Sequence, residues 1–136
     1  MTINFSLFCT LLLACLVLSG LISPVYAHHS VAGQFDIRTP VEWTGTISKM
    51  DWINPHSYIY LDVKDANDTI VTWRLETLPT AMFRKAGLSK EQVMGAGQEV
   101  TIRGLPARDG TSHLGYIMRI NYADGHFYQL SAESTR

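Results

Sequence analysis

Cysteine is scarce and poorly placed for chemistry. The chain has two, Cys9 and Cys15, both inside an N-terminal stretch that reads as a removable export signal. Removal of that stretch leaves no thiol, which excludes disulfides, cysteine-type zinc sites and thiol nucleophiles. Charged side chains are missing from the first 27 residues altogether. An excess of either sign is missing from the whole chain, where 11 Lys and Arg face 12 Asp and Glu for a net charge of −1. Without a basic run, nucleic acid is not an expected partner. There is no internal repeat.

Residues 5–18 are almost wholly apolar, and Ser19, Gly20 and Pro24 break the run. Val25 and Ala27 then put small residues three before and one before a cut after Ala27, the pattern of a secretory signal. Only the Met1 amine supplies positive charge ahead of it. A retained anchor and a lipoprotein cut ahead of Cys15, from Leu12-Leu13-Ala14-Cys15, are the alternatives. The expected organisation is a signal peptide over 1–27 and one domain over 28–136. The domain is expected to be periplasmic or secreted, with no membrane span after cleavage. Roughly 110 residues can bury a sufficient core without disulfides.

What is present is alternation. Positions 41–50 place Val41, Trp43, Gly45 and Ile47 on one side and Glu42, Thr44, Thr46 and Ser48 on the other, the period of a half-buried strand. Further strands are expected over 58–63, 70–76, 99–105, 113–122 and 126–130, the fifth carrying Tyr116, Met118, Ile120 and Tyr122 on one face. Gly45 and Gly104, inside strands, predict bulges or corners. The period changes over 80–86, which predicts a short helix stopped by Gly87. Ser89 and Gln92 form a capping box for another helical turn. Three strands, a helical connection, two strands and a short extra one make an all-β, OB-like Greek-key barrel of five to six strands. An open α+β sheet is the alternative, and it would leave exposed edges.

Asp51-Trp52-Ile53-Asn54-Pro55-His56 separates the first two strands. Pro55 has no N–H and keeps Asn54 out of the helical region, so a turn delivers Trp52 and His56 to the mouth of the second strand. In an OB-fold, strands two and three and the loops joining strands one to two and four to five form the usual binding surface. Here those loops are 51–56 and 106–113. The ligand-binding candidates are therefore Trp52, Asn54, Tyr58, Tyr60, Arg108 and Asp109. Tyr58 and Tyr60 share a side with Asp62, opposite Ile59, Leu61 and Val63, which makes them the exposed pair. Arg74 and Glu76, two apart, read as a surface ion pair.

His28-His29-Ser30, Phe35-Asp36, Gly45-Thr46-Ile47, Trp52-Ile53-Asn54-Pro55-His56, Trp73, Glu76, Gly97, Val100, Ala107-Arg108-Asp109-Gly110 and Asp124-Gly125 resemble the domain of unknown function 6152 family, small exported bacterial proteins. The resemblance covers nearly all of the chain after the signal. Its most specific parts are the His-His-Ser start and the Trp-x-Asn-Pro-His turn. The helical segment of that family ends Gly-Trp, where this chain has Gly87-Leu88, and His113 and His126 do not match its pattern. The resemblance implies an exported domain and brings no activity with it.

Cleavage after Ala27 would make His28 the first residue. Its amine and Nδ1 can chelate one ion, and His56, fixed by its turn, is the best further imidazole, with His29 next. Imidazole suits copper, zinc and nickel, and divalent copper prefers tetragonal nitrogen sites, so the expected cofactor is copper or another divalent transition metal. The amine titrates at about 7.7–8.0, so affinity should fall below neutrality. The alternative is a metal-free module that recognises a small ligand, sugar, peptide or envelope protein through the aromatic face. An enzyme is the third and least favoured class. Asp36, Asp51, Asp62, Glu76 and Asp109 carry no paired spacing for acid–base work, and Ser30 beside His29 is not a triad.

Overall fold

A computed structural model of the chain describes residues 30–131. His28, His29, both cysteines and the expected export segment lie outside the described residues. The elements in order are α1 (Val31–Gln34), β1 (Val41–Asp51), β2 (Tyr58–Lys64), β3 (Ile70–Glu76), α2 (Thr80–Lys85), α3 (Lys90–Met94), a 3-10 turn (Gly95–Gly97), β4 (Glu99–Pro106), β5 (Leu114–Tyr122) and β6 (Phe127–Gln129).

β1 pairs antiparallel with both β2 and β4, β2 with β3, and β4 with β5. The sheet closes where β3 runs parallel to β5, with Leu75 opposite Gly115 and Glu76 opposite Tyr116. Five strands thus form a closed mixed barrel, and β6 adds to β5 outside it. This is the OB-like barrel that the order of elements predicts. Ile59, Leu61, Leu75, Ile102, Ile117 and Ile120 fill it and are fully buried, each worth about 1.5–3 kcal/mol of transfer free energy. Phe83 of α2 and Val93 of α3 join the same core. Ser89 and Gln92 form the expected reciprocal capping box at the start of α3.

Two bulges reset the alternation. A Cβ on Gly45 would lie 2.1 Å from the Asp62 carbonyl oxygen, so this glycine permits the close approach of β1 and β2. The register break itself comes later, between Ile47 and Lys49, and buries both Ile47 and Met50. Gly104 does mark a corner, since the β4–β5 register shifts between Arg103 and Gly104. That shift splits the face expected on β5. Ile117, Ile120 and Tyr122 point into the barrel, while Tyr116 and Met118 form a second cluster with Phe35 and Leu105.

The second cluster anchors the N-terminal arm. Val31 packs against it, and Phe35 bridges to Ala107. Asp36 N donates to Pro106 O at 2.9 Å, and Arg108 N donates to Gln34 O at 2.9 Å. The arm therefore lies along β4 and β5, beside the strand edge where β3 closes the barrel.

Candidate functional site at the His56–Glu76 end of the barrel

The Asn54–Pro55 peptide bond is cis, and the turn around it is tied to the chain leaving β3. Ser57 is fully buried. Its Oγ donates to Ile53 O at 3.1 Å, while its backbone N–H reaches Leu78 O at 3.3 Å and its carbonyl accepts from Thr77 N at 2.9 Å. Thr80 Oγ1 donates to Asn54 Oδ1 at 3.0 Å. These bonds satisfy a turn that has no strand ladder of its own, and they hold His56 against the end of β3.

Glu76 is the centre of what His56 meets. Its side chain is only 9% exposed, and its Oε1 lies 3.1 Å from His56 Nδ1. Oε2 accepts from the Tyr58 hydroxyl at 3.4 Å. A buried carboxylate is costly unless such donors surround it. Burial pushes the Tyr58 and Tyr116 hydroxyls above the usual tyrosine range, and the Glu76 charge adds to the effect. The Arg74 guanidinium lies 4.0 Å from the Tyr58 ring centroid. The surface ion pair expected between Arg74 and Glu76 is replaced by these contacts, because Glu76 sits where β2, β3 and β5 converge and is too buried to be a surface partner.

The outer face of β1, β2 and β3 is laid out in rows by their register: Asp51–Tyr58–Glu76, then Lys49–Tyr60–Arg74. The Tyr60 hydroxyl donates to Asp51 Oδ2 at 2.9 Å, Lys49 Nζ lies 2.7 Å from Asp51 Oδ1, and the same ammonium sits 4.6 Å from the Tyr60 ring centroid. The Lys49 ammonium, and then the Tyr60 hydroxyl, hold the Asp51 carboxyl below its ordinary value. Tyr58 and Tyr60 are half-buried and outward-facing, as expected of them.

The other candidates separate. Trp52 stacks on Phe83 with centroids 5.0 Å apart and packs against the core. Arg108 Nη1 donates to Ala32 O at 3.1 Å, and Asp109 Oδ1 accepts from Thr111 N at 2.9 Å, so both brace the arm and their own loop. His113 stands edge-on to Trp73, and His126 stacks on Tyr122 and bonds to Asp124. Among the described residues, no group of three or more His, Cys, Asp or Glu side chains is placed to hold a metal ion. Glu76 and Tyr116 are the site residues that sequence reasoning passed over. Glu76 shares the outward parity of Arg74, and nothing local signals that a third strand covers it.

Closure through β3 and β5, with a turn-borne histidine and an aromatic, charged face on β2 and β3, defines a small OB-like barrel with its candidate site on the customary binding surface. The chain belongs to the family described as a family of unknown function (DUF6152), whose model matches residues 16–126. No curated protein and no solved structure gives a match.

Proposed function

We propose that this is an exported accessory protein of the bacterial envelope, periplasmic or secreted, that binds a divalent transition ion, copper favoured, at the His56–Glu76 end of its barrel. The observation that carries this reading is the 3.1 Å contact between His56 Nδ1 and Glu76 Oε1. A carboxylate on one ring nitrogen is the usual outer partner of a metal-ligating histidine; it fixes the tautomer and raises the basicity of the other nitrogen. Nε2 of His56 would be the ligand atom. The further donors would be the amine and imidazole of His28 and the imidazole of His29, outside the described residues. The described start of the arm is near this end of the barrel, since Val31 packs on the cluster that contains Tyr116, the register partner of Glu76.

The test is a copper titration of protein processed to begin at His28, beside a form with one extra residue ahead of it. The extended form should bind about tenfold or more weakly, a loss of ~1.4 kcal/mol or more. Equal affinity would remove the N-terminal chelate.

A second reading rests on the stacked Arg74–Tyr58 and Lys49–Tyr60 pairs. Such rows offer apolar ring edges beside fixed charges and suit metal-free recognition of a sugar, a peptide or an envelope partner. Saturable ligand binding that survives a chelator and is lost in Tyr58→Ala would favour it over the metal.

A further inference from the structure

β6 continues, along one edge of β5, the place that β3 vacates: Glu76 pairs with Tyr116 and Phe127 pairs with Asn121. A cleft of about 330 Å³ opens between β6 and α2, the helix that follows β3. Leu78, Met82, Ala86 and Leu88 line its helical side, and Phe127 and Leu130 its strand side. Tyr128, which also lines the cleft, packs against the core, and Phe127 faces outward. Side chains from both faces of β6 therefore meet the cleft, which must run along the edge of the strand. Its rim is apolar, with Met82 53% and Phe127 50% exposed.

Among the described residues, basic side chains stand beside Phe127 and on α2. The Arg119 guanidinium lies 3.8 Å from the Phe127 ring centroid, and the last turn of α2 carries Arg84 and Lys85. The carboxylate of the β5–β6 turn, Asp124, is engaged by His126. We infer that the cleft binds a straight apolar chain that ends in an anionic group, of the class of medium-chain fatty acids. The alkyl part lies between Met82 and Phe127, and the carboxylate meets Arg119 and Lys85. The volume is at the low end of the range for small-molecule sites, roughly 300–1,000 Å³, which suits one chain without a ring system. A second copy docked here about a two-fold axis would set these cations against their own counterparts, which disfavours that occupant. This inference does not depend on the metal reading.

The experiment is calorimetric titration of the mature protein with decanoate and with 1-decanol. Decanoate should bind once per chain, at least about fivefold more tightly than the alcohol, the size expected of a partly exposed charge pair. Ala86→Trp, at an exposed position, should fill the cleft and weaken decanoate about tenfold or more, through lost apolar burial. Lys85→Gln with Arg119→Gln should leave decanol binding in place and abolish the preference for decanoate. Far-ultraviolet circular dichroism of each variant checks that the barrel is intact. No saturable binding of decanoate, binding untouched by Ala86→Trp, or a concentration-dependent dimer that Ala86→Trp abolishes would each overturn the inference.

Discussion

β2 and β3 present two sides that share a backbone and differ in kind. Inward, Ile59, Leu61 and Leu75 are fully buried, and what they need is apolar volume, which neighbouring side chains can partly redistribute. Outward, Tyr58, Tyr60, Arg74 and Glu76 each meet a particular partner at hydrogen-bonding or stacking distance. The inner side decides whether a barrel forms, and the outer side carries the proposed site. Substitutions on the two sides should therefore fail differently.

The largest loss of stability should come from the inside. Leu75→Ala should cost about 2–5 kcal/mol, from lost transfer energy and the cavity left behind, as read by chemical denaturation. Tyr122→Phe should cost less, about 1–3 kcal/mol, because the Val93 carbonyl then loses the 2.6 Å bond from the Tyr122 hydroxyl. On the outside, Glu76→Gln keeps the shape and some of the hydrogen bonding of the site. It should change stability by no more than about 1 kcal/mol and yet weaken copper about 10–100-fold, as loss of an outer-shell carboxylate does. A Glu76→Gln protein as unstable as Leu75→Ala would erase the contrast between the two sides.

The smallest effects lie in pH dependence. The hydroxyls of Tyr58 and Tyr116 are raised in the folded state above their ordinary value of 10.0. Their contribution is full below that value and is lost as pH rises through the higher folded values, because the unfolded chain ionises first. Tyr116→Phe should flatten the alkaline limb of a stability–pH curve. Asp51 behaves with the opposite sign. Its folded value lies below 3.8, so its small contribution is present above that pH and is lost as pH falls through the folded value. Asp51→Asn should flatten the acid limb slightly.

Period-two alternation, the Gly87 stop and the Ser89 capping box are local signals, and they make the barrel and its helical connection legible in the sequence. The parity of β1 and β5 beyond their bulges was not, because the extra residues are Ser48 and Met118, which carry no turn or glycine signal, while Gly104 marks the corner only on the partner strand. Met50 and the divided face of Tyr116 and Ile117 are the result. The Asn54-Pro55-His56 turn announced its own rigidity through proline. Its partner Glu76 could not be read the same way, because its burial arises from closure of β3 against β5, a contact between segments some forty residues apart. Trp52, expected as a ligand platform, also has a packing role that the sequence did not show, since Phe83 on α2 stacks on it while it stays half-buried.

In the proposed site the imidazole held by Glu76 is a metal ligand. Native mass spectrometry of the processed protein with divalent copper tests it, using His56→Ala beside His113→Ala and His126→Ala. One ion should remain on the wild type and on the latter two variants and be absent from His56→Ala. A copper ion retained by His56→Ala at wild-type occupancy would contradict the claim.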